Sequence, residues 1–128
     1  MKARDKTFLV SLCLSLCACA TASAGGPPTM PVELLGTWQY GYSRCAVSVF
    51  GESDSAIRIE TTAIVGYESR DAIKSVRRIS KSPNAWKILR ISDTAPEEIQ
   101  DRYEIFVQNG ERLTMTDGES ARTYTRCR

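Results

Sequence analysis

The 128-residue chain contains no histidine. This absence excludes Ser-His-Asp triads, Cys-His dyads, zinc sites with histidine ligands and histidine-based pH switches. A strong net charge is also missing, since 17 basic and 15 acidic residues give +2, so the composition does not indicate a nucleic-acid-binding protein. What is present, 42% hydrophobic and 25% charged residues, is typical of one globular domain.

The N-terminus has the three regions of an export signal. A basic start precedes an apolar run at 8–20 that is too short to span a bilayer, and Ala22-Ser23-Ala24 then forms an A-x-A cleavage pattern. The predicted organisation has three parts: a signal peptide at 1–24, a flexible linker at 25–33 and one domain at 34–128.

A second processing route is open at Cys19. The segment Leu16-Cys17-Ala18-Cys19 resembles the bacterial lipobox, and its use would make Cys19 a lipidated N-terminus. We favour cleavage after Ala24. A cleaved protein would be periplasmic or secreted, whereas a lipidated protein would be anchored to the envelope membrane.

Removal of the signal would change the charge balance of the chain. It would take away three basic residues and one acidic residue, which leaves fourteen of each. A neutral mature chain favours neither a nucleic acid nor an anionic membrane as a partner. We expect a monomer without a cofactor or a metal, whose partner is a protein or a small ligand of the cell envelope.

Two cysteines, Cys45 and Cys127, follow the signal. In an oxidising compartment they most simply form one disulfide. That bond would close a loop of about 80 residues and stabilise the domain by on the order of 4 kcal/mol. The alternative, a catalytic free thiol, would lack a histidine base. Because the bond needs Cα atoms within about 7 Å, it would bring the first and last strands together.

The remainder of the sequence is typical of short strands separated by turns. Asn109-Gly110 and Asp117-Gly118, each between alternating segments, are strong hairpin signals. Many antiparallel strands with short connections commonly close into a barrel, because closure removes exposed edges. We therefore predict an all-β fold, a small antiparallel up-and-down β-barrel of seven or eight strands with one disulfide.

Three segments carry more specific predictions. Residues 57–67 are interpreted as one strand in two halves, with Gly66 as a candidate bulge. Residues 71–80 could form either an amphipathic helix or a strand, and we favour a strand because a turn at 82–84 fits a hairpin. In a later strand, alternation predicts three inward-facing residues: Tyr103, Ile105 and Val107.

The start of the first predicted strand, Gly36-Thr37-Trp38, resembles the G-x-W motif of lipocalins and other calycins. The chain is also similar in size to small periplasmic inhibitors that have a short barrel and one disulfide. The resemblance implies that Trp38 plugs one end of the barrel. It also implies that a basic residue of the last strand, Arg126 or Arg122, packs across the tryptophan ring.

Candidate contact residues come from two groups. Aromatic side chains could line a ligand pocket or form the core, and the group contains Trp38, Tyr40, Tyr42, Tyr67, Trp86 and Tyr103. A basic stretch could hold an acidic partner or discourage edge pairing, and it contains Arg70, Lys74, Arg77, Arg78 and Lys81. The residues that we expect to contact a partner or ligand are Tyr40, Tyr42, Tyr67, Arg77, Arg78 and Trp86.

These observations predict a non-enzymatic binding or inhibitory module of the envelope. One alternative is a calycin-type carrier of small hydrophobic ligands, which would need an interior pocket of roughly 300 Å³ or more. A second alternative is an envelope hydrolase, which would need two convergent carboxylates such as Glu60 and Glu68.

Overall fold

The computed structural model describes residues 26–41, 45 and 55–128. Its strands are antiparallel and close into one barrel in sequence order, which confirms the predicted fold class. They are β1 (Gly36–Tyr40), β2 (Ala56–Ile59), β3 (Ala63–Gly66), β4 (Ser69–Lys81), β5 (Asn84–Ile91), β6 (Asp101–Asn109), β7 (Arg112–Thr116) and β8 (Ala121–Arg126). The predicted signal peptide with Cys19, and the candidate contact Tyr42, lie outside the described residues.

Barrel closure depends on β1, which pairs with both β2 and β8. Trp38 lies opposite Ile57 on one side and opposite Arg126 on the other. The disulfide between Cys45 and Cys127 is present, with their Cα atoms 5.3 Å apart, as predicted. The backbone N–H of Cys127 also donates to the carbonyl of Thr37 on β1, so the bond lies beside the seam between the first and last strands.

Residues 57–67 form two strands, so the prediction of one continuous strand was wrong. β2 and β3 pair antiparallel, and the N–H of Glu60 donates to the carbonyl of Ala63 at 2.8 Å to close the turn between them. The turn contains no glycine or proline, so the usual signal was absent. Gly66 is not a bulge within a strand but the end of β3, opposite Ser69.

The ambiguous residues 71–80 lie within β4, which confirms the strand over the helix. A register shift between Ile73 and Ser75 explains the helix-like spacing. Because an extra residue reverses the alternation of faces, Ile73 is buried and Val76, three residues later, also packs against the core.

The prediction for β6 had the wrong face inward. Tyr103 is 56% exposed, and Ile105 and Val107 are only half-buried. The inward residues are Glu104 and Phe106, which are 4% and 0% exposed. Both faces of β6 carry apolar residues, so alternation alone did not identify the inward face. The charge of Glu104 argued against its face, and the sequence could not show that Arg90 pairs with this carboxylate.

One end of the barrel is filled. A 3-10 turn at Val32–Leu34 packs there, and the N–H of Met30 donates to the carbonyl of Thr61 in the β2–β3 turn at 2.8 Å. Met30 is only 4% exposed. The packed domain therefore includes part of the segment 25–33, which we predicted as a flexible linker. The core consists of Met30, Leu34, Trp38, Ile59, Ile64, Ile73, Trp86, Ile88, Phe106, Leu113, Met115 and Tyr124.

Candidate functional site

The closed end of the barrel is held by Trp38 and Arg126. Trp38 is fully buried, and its indole N–H donates to the carbonyl of Leu34 at 2.9 Å. The guanidinium of Arg126 lies 4.1 Å from the centre of the indole ring and donates to the carbonyl of Leu35 at 2.8 Å. In the described part of the chain, this end is therefore a packed plug whose polar groups are hydrogen-bonded.

Glycine is required at position 36 for this plug to form. Gly36 has a φ of +120°, which side chains other than glycine rarely adopt. A Cβ there would also lie 3.4 Å from Nη1 of Arg126. Of the two basic residues that the resemblance offered, Arg126 is the one that covers Trp38, whereas Arg122 forms an ion pair with Glu104.

At the opposite end of the barrel, the described residues surround a cavity of about 210 Å³, which we call the cup. Ile57, Ile64 and Met115 contribute apolar surface to it. Among the described residues, its charged lining comes from four strands: Asp71 of β4, Arg90 of β5, Arg102 of β6 and Arg122 of β8.

A buried ion network forms one wall of the cup. Arg90 is 7% exposed, and it lies between two carboxylates. Its Nη1 is 3.0 Å from Oδ2 of Asp71, and its Nε is 2.8 Å from Oε2 of Glu104. The other oxygen of Glu104 accepts from Nη2 of Arg122 at 3.3 Å. Because isolated charges are very unfavourable in such surroundings, each of these groups depends on the others.

The network leaves polar atoms unsatisfied. Oδ1 of Asp71 has no hydrogen-bond partner, and neither Nε of Arg90 nor Oε2 of Glu104 makes a hydrogen bond despite their 2.8 Å separation. That contact is therefore an ion pair without hydrogen-bond alignment. The unpartnered oxygen of Asp71 belongs to a residue that lines the cup.

Tyr124 also lines the cup. Burial raises the pKa of its phenol, and the positive charges of Arg122 and Arg90 oppose that shift. The ring of Tyr40 packs edge-on against it, with centroids 5.6 Å apart and an interplanar angle of 71°. The phenol therefore stays neutral over a wider pH range than a free tyrosine.

The predicted contact residues are scattered over the barrel. Trp86 is 2% exposed and belongs to the core, under the guanidinium of Arg78, so its assignment as a partner contact was wrong. Tyr67 is exposed and lines the cup. Tyr40 is also exposed, in a neighbouring depression. Arg77 is exposed on β4 and lies outside the cup.

The charged lining of the cup was not predicted from the sequence. A signal was present in β5, where Trp86, Ile88 and Arg90 alternate and are all buried. Arg90 therefore stands on the face of the strand that otherwise carries apolar residues. The same holds for Glu104, two residues before the buried Phe106. Charges at inward positions of two strands predict an internal ion pair, and the partners follow only from the strand register.

The cup is lined by charged side chains, and the chain contains no histidine that could act as a base. Glu60, proposed for a hydrolase pair, instead contacts Arg58 and Arg70 at 3.2 and 2.9 Å on partly exposed surface. Across residues 26–41, 45 and 55–128, no cluster of side chains could hold a metal ion, and no helix is long and apolar enough to cross a membrane. The chain matches no protein-family model, no curated protein and no solved structure.

Proposed function

We propose that the protein is an exported, non-enzymatic binding module of the bacterial cell envelope and that the cup is its ligand site. One observation carries the proposal: the barrel is filled at one end, and at the other end charged side chains among the described residues surround a cavity of about 210 Å³. Burying an ion network costs free energy of desolvation. Attraction of a polar ligand to the cup would explain why the chain keeps buried charges despite this cost.

The lining favours a polar ligand over a hydrophobic one. Pockets for drug-sized ligands are roughly 300–1,000 Å³ and mostly apolar, whereas the cup is smaller and carries charged groups on its walls. The carrier of hydrophobic ligands is therefore the weaker alternative. The packing of Arg126 over Trp38 supports a calycin-like ancestry, which remains part of the proposal.

Export is supported by the signal-like sequence at 1–24 and by a disulfide that suits an oxidising compartment. The mass of the intact protein from an envelope fraction tests this part. We expect a chain that begins at Gly25 or a lipidated chain that begins at Cys19. An unprocessed chain in the cytosol would overturn it.

The ligand site is tested by nuclear magnetic resonance of the isotope-labelled domain. Neutral, anionic and cationic sugars are added in turn, and we expect at least one class to shift the backbone signals of Ser92 and Arg122, which line the cup. Thr94→Trp should fill the cup and abolish the shifts. Thr61→Trp, on an exposed turn at the closed end, is the matched control and should leave them unchanged. If no class shifts these signals, the cup is not a ligand site.

A further inference from the structure

The charges of the cup point to a specific ligand chemistry. We infer that the cup takes a small oxyanion, a carboxylate or a phosphate, that carries a neighbouring hydroxyl or amino group. This inference rests on the proposed function, because it assigns a ligand class to the same site.

The positive half of the site consists of Arg102 and Arg122. Arg102 lines the cup, is exposed, and has no ion-pair partner among the residues that the structure describes. Arg122 is 44% exposed and contacts only one oxygen of Glu104, at 3.3 Å. Guanidinium groups bind carboxylate and phosphate oxygens through paired N–H donors. Two of them at the mouth of one cavity favour an anion there.

The accepting half of the site is the carboxylate of Asp71. The residue is only 6% exposed, Oδ2 lies against Arg90, and Oδ1 has no hydrogen-bond partner. An unsatisfied buried acceptor is destabilising. A hydroxyl or N–H group on the ligand would supply the missing donor, and a ligand with an anion alone would not.

The size of the cup limits the rest of the ligand. A volume of about 210 Å³ lies below the range of about 300–1,000 Å³ for drug-sized ligands. Its apolar surface comes from Ile57, Ile64 and Met115, against which a short carbon skeleton can pack. A sugar acid, a sugar phosphate or a small amino acid meets these conditions.

A cation is disfavoured by the charges that face the cavity. Among the described residues, Arg90, Arg102 and Arg122 line it, and Asp71 is the one lining carboxylate. Glu104 contacts both Arg90 and Arg122, so three guanidinium groups stand against two carboxylates, and the net charge of the group is positive.

The test uses sugar-sized probes that separate the two halves of the site. D-glucuronate has a carboxylate and hydroxyl groups, and glucose 1-phosphate has a phosphate and hydroxyl groups. D-glucose lacks the anion, and cyclohexanecarboxylate lacks the hydroxyl donors. Titration calorimetry on the mature protein should give binding of at least one of the first two. D-glucose and cyclohexanecarboxylate should each bind that site at least about tenfold more weakly, and the stronger of the two anions identifies the head group.

Matched variants connect this binding to the cup. Arg102→Gln should weaken binding of the preferred anion by about tenfold. Arg77→Gln removes a charge from an exposed position of β4 outside the cup, so it should leave binding unchanged. Equal loss in both variants would mean that only overall charge matters, and it would overturn the inference.

The outcomes separate the inference from the function on which it rests. Binding of D-glucose or of a cationic amino sugar in preference to both anions, with shifts at Ser92 and Arg122, would overturn the anion and keep the ligand site. Equal binding of cyclohexanecarboxylate and D-glucuronate would overturn the role of Asp71 as acceptor. If no probe of any charge shifts the signals of Ser92 and Arg122, the cup is not a ligand site, and both the proposed function of the cup and this inference are wrong.

Discussion

Arg90 holds two buried carboxylates, so its removal should be severe. In Arg90→Met the long side chain still fills the space, and the main change is the loss of charge. Asp71 then has no counterion, and Glu104 retains only the contact of one oxygen with Arg122. Breaking a buried ion pair by removing one partner costs about 3–5 kcal/mol. Native proteins have a total stability of about 5–15 kcal/mol, so the variant should lose a large fraction of the stability of the domain.

The measurement is urea unfolding followed by tryptophan fluorescence, because both tryptophans are buried. We expect Arg90→Met to lose about 3–5 kcal/mol of unfolding free energy. The triple variant Arg90→Met/Asp71→Asn/Glu104→Gln should recover much of that loss, since it removes the uncompensated charges as well. Arg102→Met, at an exposed position, is the control and should change stability by less than about 0.5 kcal/mol.

Two results would refute this reasoning. A loss below about 1 kcal/mol in Arg90→Met would place the network among weak surface pairs. A triple variant as unstable as the single variant would show that the uncompensated charges of Asp71 and Glu104 do not cause the loss.

Other predictions concern the plug, the seam and the phenol. Trp38→Ala should lose about 3–5 kcal/mol in the same urea assay, and acrylamide should barely quench Trp38 in the folded protein. Replacing Cys45 and Cys127 with serine should lower stability by on the order of 4 kcal/mol while far-ultraviolet spectra keep the strand signal; an unchanged melting temperature would contradict this. Because burial raises the pKa of Tyr124, its neutral phenol favours the folded state below the unfolded-state pKa of about 10. That contribution is lost as pH rises through the folded-state pKa, so Tyr124→Phe should resist alkaline unfolding better.

The architecture could be predicted from local signals. Turn pairs such as Asn109-Gly110 mark the hairpins, and the disulfide implied that the ends of the sheet meet. Prediction failed where a turn signal was absent or where the hydrophobic pattern favoured neither face of a strand. The turn after β2 has no glycine or proline, and β6 carries apolar residues on both faces.

The cup could not be predicted in the same way. Asp71, Arg90 and Glu104 belong to different strands, and each alone resembles a surface charge. Only the pairing registers of β4, β5 and β6 bring these three side chains together. The assignment of Trp86 as a partner contact failed for a related reason, since the inward register of β5 buries its side chain.

The seam between β1 and β8 also bears on when the barrel can form. Arg126 contacts Leu35 across 91 positions of sequence, and contacts between such distant residues form slowly because a long loop must close first. The plug over Trp38 cannot assemble until β8 has left the ribosome. A nascent chain of this topology therefore stays open during synthesis. This state suits the export that we propose, because a secretion channel requires an unfolded chain. For an exported chain, oxidation of the two cysteines after transport would then make closure hard to reverse.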